Sequence, residues 1–133
     1  MSYKLLLVDD EKDIIESLSP RLIREGYEVS AAFDGHEALE KVKQTDPDII
    51  ILDLMLPGLN GFEVLEKIRK EYTDKWRPII IMSAKDEMKS WEKCHNLEAD
   101  LYLTKPCTIY DILHGIKTMI SLIPVHKTQD NQS

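Results

Sequence analysis

Lys4-Leu5-Leu6-Leu7-Val8-Asp9-Asp10 is the stretch that decides the fold: an unbroken apolar run, Leu5 to Val8, enters directly on two aspartates. A strand covered on both faces is apolar at every position, not at alternate ones. The same form recurs at Ile49-Ile50-Ile51-Leu52-Asp53, at Pro78-Ile79-Ile80-Ile81-Met82 before Ser83-Ala84, and at Leu101-Tyr102-Leu103-Thr104 before Lys105-Pro106. Working outward, strands are expected near 4–8, 27–32, 48–52, 78–82 and 100–103. Helical periods separate and follow them near 11–25, 36–44, 61–71, 86–96 and 108–121. Five such βα units predict an α/β protein, a doubly wound parallel sheet with right-handed crossovers and helices on both faces.

Local signals agree with that outline. Ile14, Ile15, Leu18, Leu22 and Ile23 form one apolar stripe, closed by Gly26 at the position of a C-terminal glycine. Pro20 lies inside the stripe and is expected to weaken or kink the helix. Leu56-Pro57-Gly58-Leu59-Asn60-Gly61 is a turn-rich loop before a helix whose stripe is Phe62, Val64, Leu65 and Ile68. Residues 1–123 are expected to form one domain. Residues 124–133 lack periodicity and are expected to be a polar tail, disordered or a linker remnant.

The bulk numbers exclude several classes. A chain of 133 residues with 43% hydrophobic and 31% charged residues suits one domain with a real core. A net charge of -7 disfavours a nucleic-acid or anionic-membrane binder, since both are bound through clustered Lys and Arg. Cys94 and Cys107 have no metal-ligand spacing and fit a reducing cytoplasm. The apolar run 5–8 is too short for a signal peptide, and no stretch reaches transmembrane length.

The carboxyl ends of the strands form the ligand-binding rim of an open parallel sheet. Asp9, Asp10, Asp53, Ser83 and Lys105 all fall there, from far apart in sequence. Carboxylate oxygens suit Mg2+, which takes one or two carboxylates together with phosphate and water. Two carboxylates ~5 Å apart repel by roughly 3 kcal/mol at an effective dielectric of 20, so the site needs a cation. Asp53 is placed to act as a nucleophile toward a phosphoryl group. Each residue alone has a plainer reading: Asp10 as a helix cap, Asp53 as a turn residue, Lys105 as a solvated lysine.

Together, Asp9-Asp10, Asp53 with Leu54–Gly61, Ser83-Ala84-Lys85 and Tyr102-Leu103-Thr104-Lys105-Pro106 resemble the receiver domain of two-component response regulators, from about Lys4 to about Ile120. The resemblance implies a flavodoxin-like sheet in strand order 2-1-3-4-5. It implies a phosphoryl group on Asp53, and Mg2+ held by Asp9, Asp10, Asp53 and the Met55 carbonyl. Ser83 and Lys105 would contact the phosphoryl group, and a cis bond would precede Pro106. Ser83 and Tyr102 would form the switch. The expected donor is a histidine kinase or a histidine phosphotransfer protein, because His36, His95, His114 and His126 are scattered within the chain.

The expected output face comprises the helix near 86–96, the strand near 100–103 and the helix near 108–121. Trp91, Tyr102, Cys107, Ile109 and Tyr110 lie on or near it, facing a downstream protein. The chain departs from the family pattern at Asn60, Glu98, Leu101, Cys107 and across Met88–Asn96, which touches partner choice more than the acidic pocket. On this reading the chain is no enzyme beyond self-phosphorylation and dephosphorylation. Two alternatives are a magnesium-dependent aspartyl-phosphate phosphohydrolase and a receiver-like interaction module that takes no phosphate. The hydrolase lacks support from Asp53-Leu54-Met55, which carries no second acid.

Overall fold

The computed structural model describes residues 2–84 and 99–132, with side chains as far as Pro124. The helix expected near 86–96 lies outside the described residues, as do Lys85, Trp91, Glu92, Cys94, His95 and Glu98. In chain order the elements are β1 (Lys4–Val8), α1 (Lys12–Arg24), β2 (Glu28–Ala32), α2 (Gly35–Thr45), β3 (Ile49–Leu52), α3 (Gly61–Glu71), β4 (Ile79–Ala84), β5 (Leu101–Lys105) and α4 (Ile109–Gln132). The strands form one five-stranded parallel sheet in the order β2-β1-β3-β4-β5. The expected fold is the observed one.

Strand parity divides the interior into two layers. Leu6, Val8, Ile50, Leu52, Ile79 and Ile81 pack with Ala38 and Val42 of α2 and Val64, Leu65 and Ile68 of α3. Leu5, Leu7, Ile49, Ile51, Ile80 and Met82 pack with Ile15 and Leu22 of α1 and Ile112, Ile116 and Met119 of α4. Because both faces are covered, the strands show no polar alternation. Gly26 adopts φ +99° just beyond α1, in the expected stop position. Pro20 sits within α1 on its exposed side, where water can serve a backbone group that loses its partner.

Three boundaries differ from the sequence reading by two residues or more. Strands β4 and β5 run on to Ala84 and Lys105, because backbone pairing continues through Ser83↔Thr104 and Ala84↔Lys105 after the apolar run has ended. Lys105 therefore stands on the last residue of a strand, not in the loop after it. Helix α4 extends through Pro124 to Gln132, where an irregular tail is expected. Its packed turns nucleate the helix, each residue beyond Pro124 can add one hydrogen bond, and residues 125–132 contain neither Gly nor Pro.

The amino-terminal end of the sheet is clamped by Arg77, which is buried. Its guanidinium donates to the Pro47 carbonyl at 3.1 Å, the Tyr72 carbonyl at 3.2 Å and Asp74 at 3.1 Å, and also to Asp46. Beside it, Asp100 accepts from Arg69 at 2.6 Å and from the Ile79 backbone at 2.8 Å, joining α3, β4 and the entry to β5. The Arg77 hydrogen bond holds Asp74 below the usual carboxylate range. Burial would raise Asp46, but Arg77 and Lys75 outweigh it and also lower that group.

Arg77→Met removes the donor from two backbone carbonyls and two carboxylates. The expected loss is about 2–4 kcal/mol, read as a lower urea midpoint at unchanged slope. Lowered carboxyl pKa values give stability that is present above the unfolded-state pKa and lost as pH falls through the folded one. The variant should therefore lose less stability than wild type on acidification across that window.

Candidate functional site

Asp9 and Asp53 continue β1 and β3 by one residue, and Lys105 ends β5. All three share the parity of Leu5, Leu7, Ile49, Ile51, Leu101 and Leu103, the residues that face α1 and α4. Their side chains therefore leave the rim on one side of the sheet and can meet there. Lys105 Nζ donates to Asp9 Oδ2 and to Asp53 Oδ2, both at 3.0 Å. Asp9 and Asp53 are buried, with 1% and 3% of their surface exposed. Carboxylate atoms of Asp9, Asp10 and Asp53 lie within 4.8 Å of one another, and Asp10 faces solvent.

Backbone groups fix the two buried carboxylates. Asp9 Oδ1 accepts from the Glu11 N–H at 2.9 Å, and Asp53 Oδ1 accepts from the Met55 N–H at 3.1 Å. Asp10 is not the cap of α1; Glu11 holds the N-cap position. The Asp53 loop is closed by Gly61, whose N–H donates to the Leu54 carbonyl at 2.9 Å. A Cβ on Gly61 would stand 2.4 Å from the Asp53 carbonyl and 2.5 Å from Leu54 Cα, so only glycine permits this approach. Asn60 caps α3 by accepting from the Glu63 N–H at 3.0 Å, and its amide donates to the Glu63 side chain at 3.0 Å. Asn at that position keeps the helix start intact.

The other expected site residues are arranged around this core. Ser83 is fully buried near the end of β4, on the opposite parity from the charged trio. Tyr102 shares the Ser83 parity, lies level with Ile81 and is 39% exposed. Burial and the Asp100 charge raise its hydroxyl pKa. The Met55 side chain is exposed, while its backbone braces Asp53. The Lys105-Pro106 bond is cis, as the resemblance implied. Of the expected output residues, Tyr110 is 73% exposed, whereas Cys107 and Ile109 pack against the layer under α4.

Burial raises the Asp53 pKa above the usual carboxylate value, and the nearby Asp9 charge adds to this against the opposing pull of Lys105 and the Met55 N–H. Burial alone would lower Lys105, but its hydrogen bonds and charge pairing with Asp53 and Asp9 more than reverse that and hold it above the ordinary lysine value. One ammonium therefore serves two desolvated carboxylates. A cluster of hard oxygen donors with surplus negative charge fits Mg2+. Sequence reading passed over Glu11, whose Oε1 lies 3.7 Å from Lys105 Nζ. Its place directly after Asp9-Asp10 was the available signal.

The fold and this site define a doubly wound α/β protein with a lysine-bridged acidic pocket at the carboxyl rim of its sheet. Residues 5–117 match the response regulator receiver domain family. The chain belongs to that family, and is the receiver domain of a two-component response regulator. A Francisella response regulator receiver domain is 32% identical, with a TM-score of 0.78 over 88% of this chain and 95% of that one. The Vibrio cholerae chemotaxis protein CheY4 is 30% identical, with a TM-score of 0.80 over 89% and 98%. A CheY-like receiver domain protein from Methanospirillum hungatei is 27% identical, with a TM-score of 0.80 over 100% of both chains.

Two outcomes follow from the pocket. A carboxyl pKa raised by folding means that ionised Asp53 opposes the fold, and that this cost grows as pH rises through the folded pKa. Asp53→Asn should melt higher than wild type at neutral pH without divalent cation, with the difference shrinking as pH falls toward the ordinary carboxylate range. Gly61→Ala should lose about 1–3 kcal/mol in urea unfolding, because its methyl meets backbone that must move.

Proposed function

We propose that this receiver domain accepts a phosphoryl group on Asp53 from a histidine kinase or histidine phosphotransfer protein in the cytoplasm, and passes the change to a downstream protein. The observation that carries the reading is the Lys105 ammonium, 3.0 Å from both Asp9 and Asp53. It supplies positive charge where a phosphoryl oxygen would arrive, beside the nucleophile. An Asp53 oxygen forms the new P–O bond, the bond from phosphorus to the donor breaks, and the leaving group departs with its electron pair. Lys105 follows the charge onto the phosphoryl oxygens, a preorganised donor in a partly dry site.

Asp9, Asp10 and Asp53, with the Met55 carbonyl, would hold Mg2+. When bound, it offsets the carboxylate charge and neutralises phosphoryl oxygens. Ser83 would donate its hydroxyl to the phosphoryl group, and Tyr102 would respond on the same face of the sheet. Phosphorylation adds negative charge and acceptor oxygens, and a full reversal of a two-state switch takes about 5.5 kcal/mol. Charge-assisted bonds from Lys105 and Ser83 are the source of that difference. The domain itself carries only self-phosphorylation and dephosphorylation, with no other enzymatic turnover. Among the described residues no helix is long and apolar enough to cross a membrane.

Incubation with Mg2+ and acetyl phosphate should add one phosphoryl group to the intact mass, labile and dependent on magnesium, and Asp53→Asn should abolish it. An adduct that survives in Asp53→Asn would overturn the assignment. Ser83→Ala should still accept phosphate but show smaller phosphorylation-induced amide shifts; shifts identical to wild type would remove Ser83 from the switch.

A further inference from the structure

The Lys105 ammonium has three N–H donors, of which two are engaged by Asp9 and Asp53. A third carboxylate, that of Glu11, stands 3.7 Å away at ion-pair distance. Glu11 occupies the N-cap position of α1 yet makes no side-chain capping hydrogen bond. Its side chain is thus turned to the lysine, while its backbone N–H secures Asp9. Glu11 also lines, with Asp13, Met82, Lys105 and Pro106, a cavity of about 500 Å³ between α1 and the start of α4. The same residue therefore sits beside the ammonium and at the edge of an open approach to it.

We propose that Glu11 is a positioning residue that acts through Lys105, drawing the ammonium's remaining donor away from an incoming anion and adding negative potential that attracts the metal. The inference rests on phosphoryl acceptance by Asp53 as set out above. A negative charge there has opposite effects on two species. It raises the local concentration of Mg2+, and it slows a small anionic phosphodonor that needs the same ammonium. A donor held by protein–protein contacts depends less on this, because its binding comes from surface outside the pocket. Glu11 thereby biases the site against stray small phosphodonors and toward a docked protein donor.

The test uses Glu11→Gln, which keeps the backbone N–H and nearly the same shape, with Glu11→Asp as the charge-retaining control. Magnesium affinity is read by calorimetry without any phosphodonor. The phosphorylation rate is read by intact mass with acetyl phosphate at saturating magnesium. For Glu11→Gln the expected results are a magnesium Kd about threefold higher and a rate about fivefold faster at low ionic strength. Both effects should shrink at about 0.5 M salt, and Glu11→Asp should lie near wild type.

Opposite movements of affinity and rate support the proposal, since structural damage would depress both. A parallel loss of both, or no change in either, overturns it. Absence of an adduct on both wild type and Glu11→Gln, with intact magnesium binding, would sink the phosphoacceptor reading and, with it, the donor bias. A wild-type adduct with an unchanged Glu11→Gln would sink the role of Glu11 alone.

Discussion

One ammonium between two buried carboxylates is the constraint on which the site depends. Asp9 and Asp53 come from neighbouring strands and are almost wholly withdrawn from water. Removing charge from water is costly unless it is paired and hydrogen-bonded. Lys105 meets that requirement only because β5 continues in register to its last residue and delivers the side chain over the rim. The rim geometry, the surplus negative charge and the suitability for a divalent cation all follow from that placement.

The two ends of the sheet treat charge differently. At the amino-terminal end, Arg77 and Arg69 meet aspartates and backbone carbonyls in closely fitted hydrogen bonds that tie loops and strands together. At the carboxyl end, Asp9, Glu11 and Asp53 share Lys105, with the Asp10 carboxylate beside them. The first arrangement holds the scaffold. The second leaves charge unbalanced, and ligand chemistry needs such an imbalance on a scaffold that does not yield to it.

Much of this was readable from the chain because buried parallel strands write themselves as continuous apolar runs. Leu5–Val8 and Ile49–Leu52 are unambiguous in that sense, and the acids that follow them fall at the rim by necessity. The limits have equally physical causes. Ser83, Thr104 and Lys105 continue their strands through backbone pairing, which leaves no hydrophobic trace. Arg77 lies between the helix expected near 61–71 and the strand expected near 78–82, and its partners Asp46 and Pro47 are about thirty residues away. Helix α4 outlasts its apolar stripe because helical propagation is local. The segment expected to carry the helix near 86–96 lies outside the described residues, so that expectation stands apart from the fold.

Strand parity has a further consequence for how such a chain can change length. Lys105 and Tyr102 are three residues apart in one strand and so leave it on opposite sides, the ammonium with Leu101 and Leu103, the phenol with Thr104. Inserting a single residue between Leu101 and Lys105 would reverse that assignment for everything on one side of the insertion, whereas two residues would restore it. Evolution in this strand therefore counts in twos, and length variation should be pushed into the loops, where parity carries no meaning.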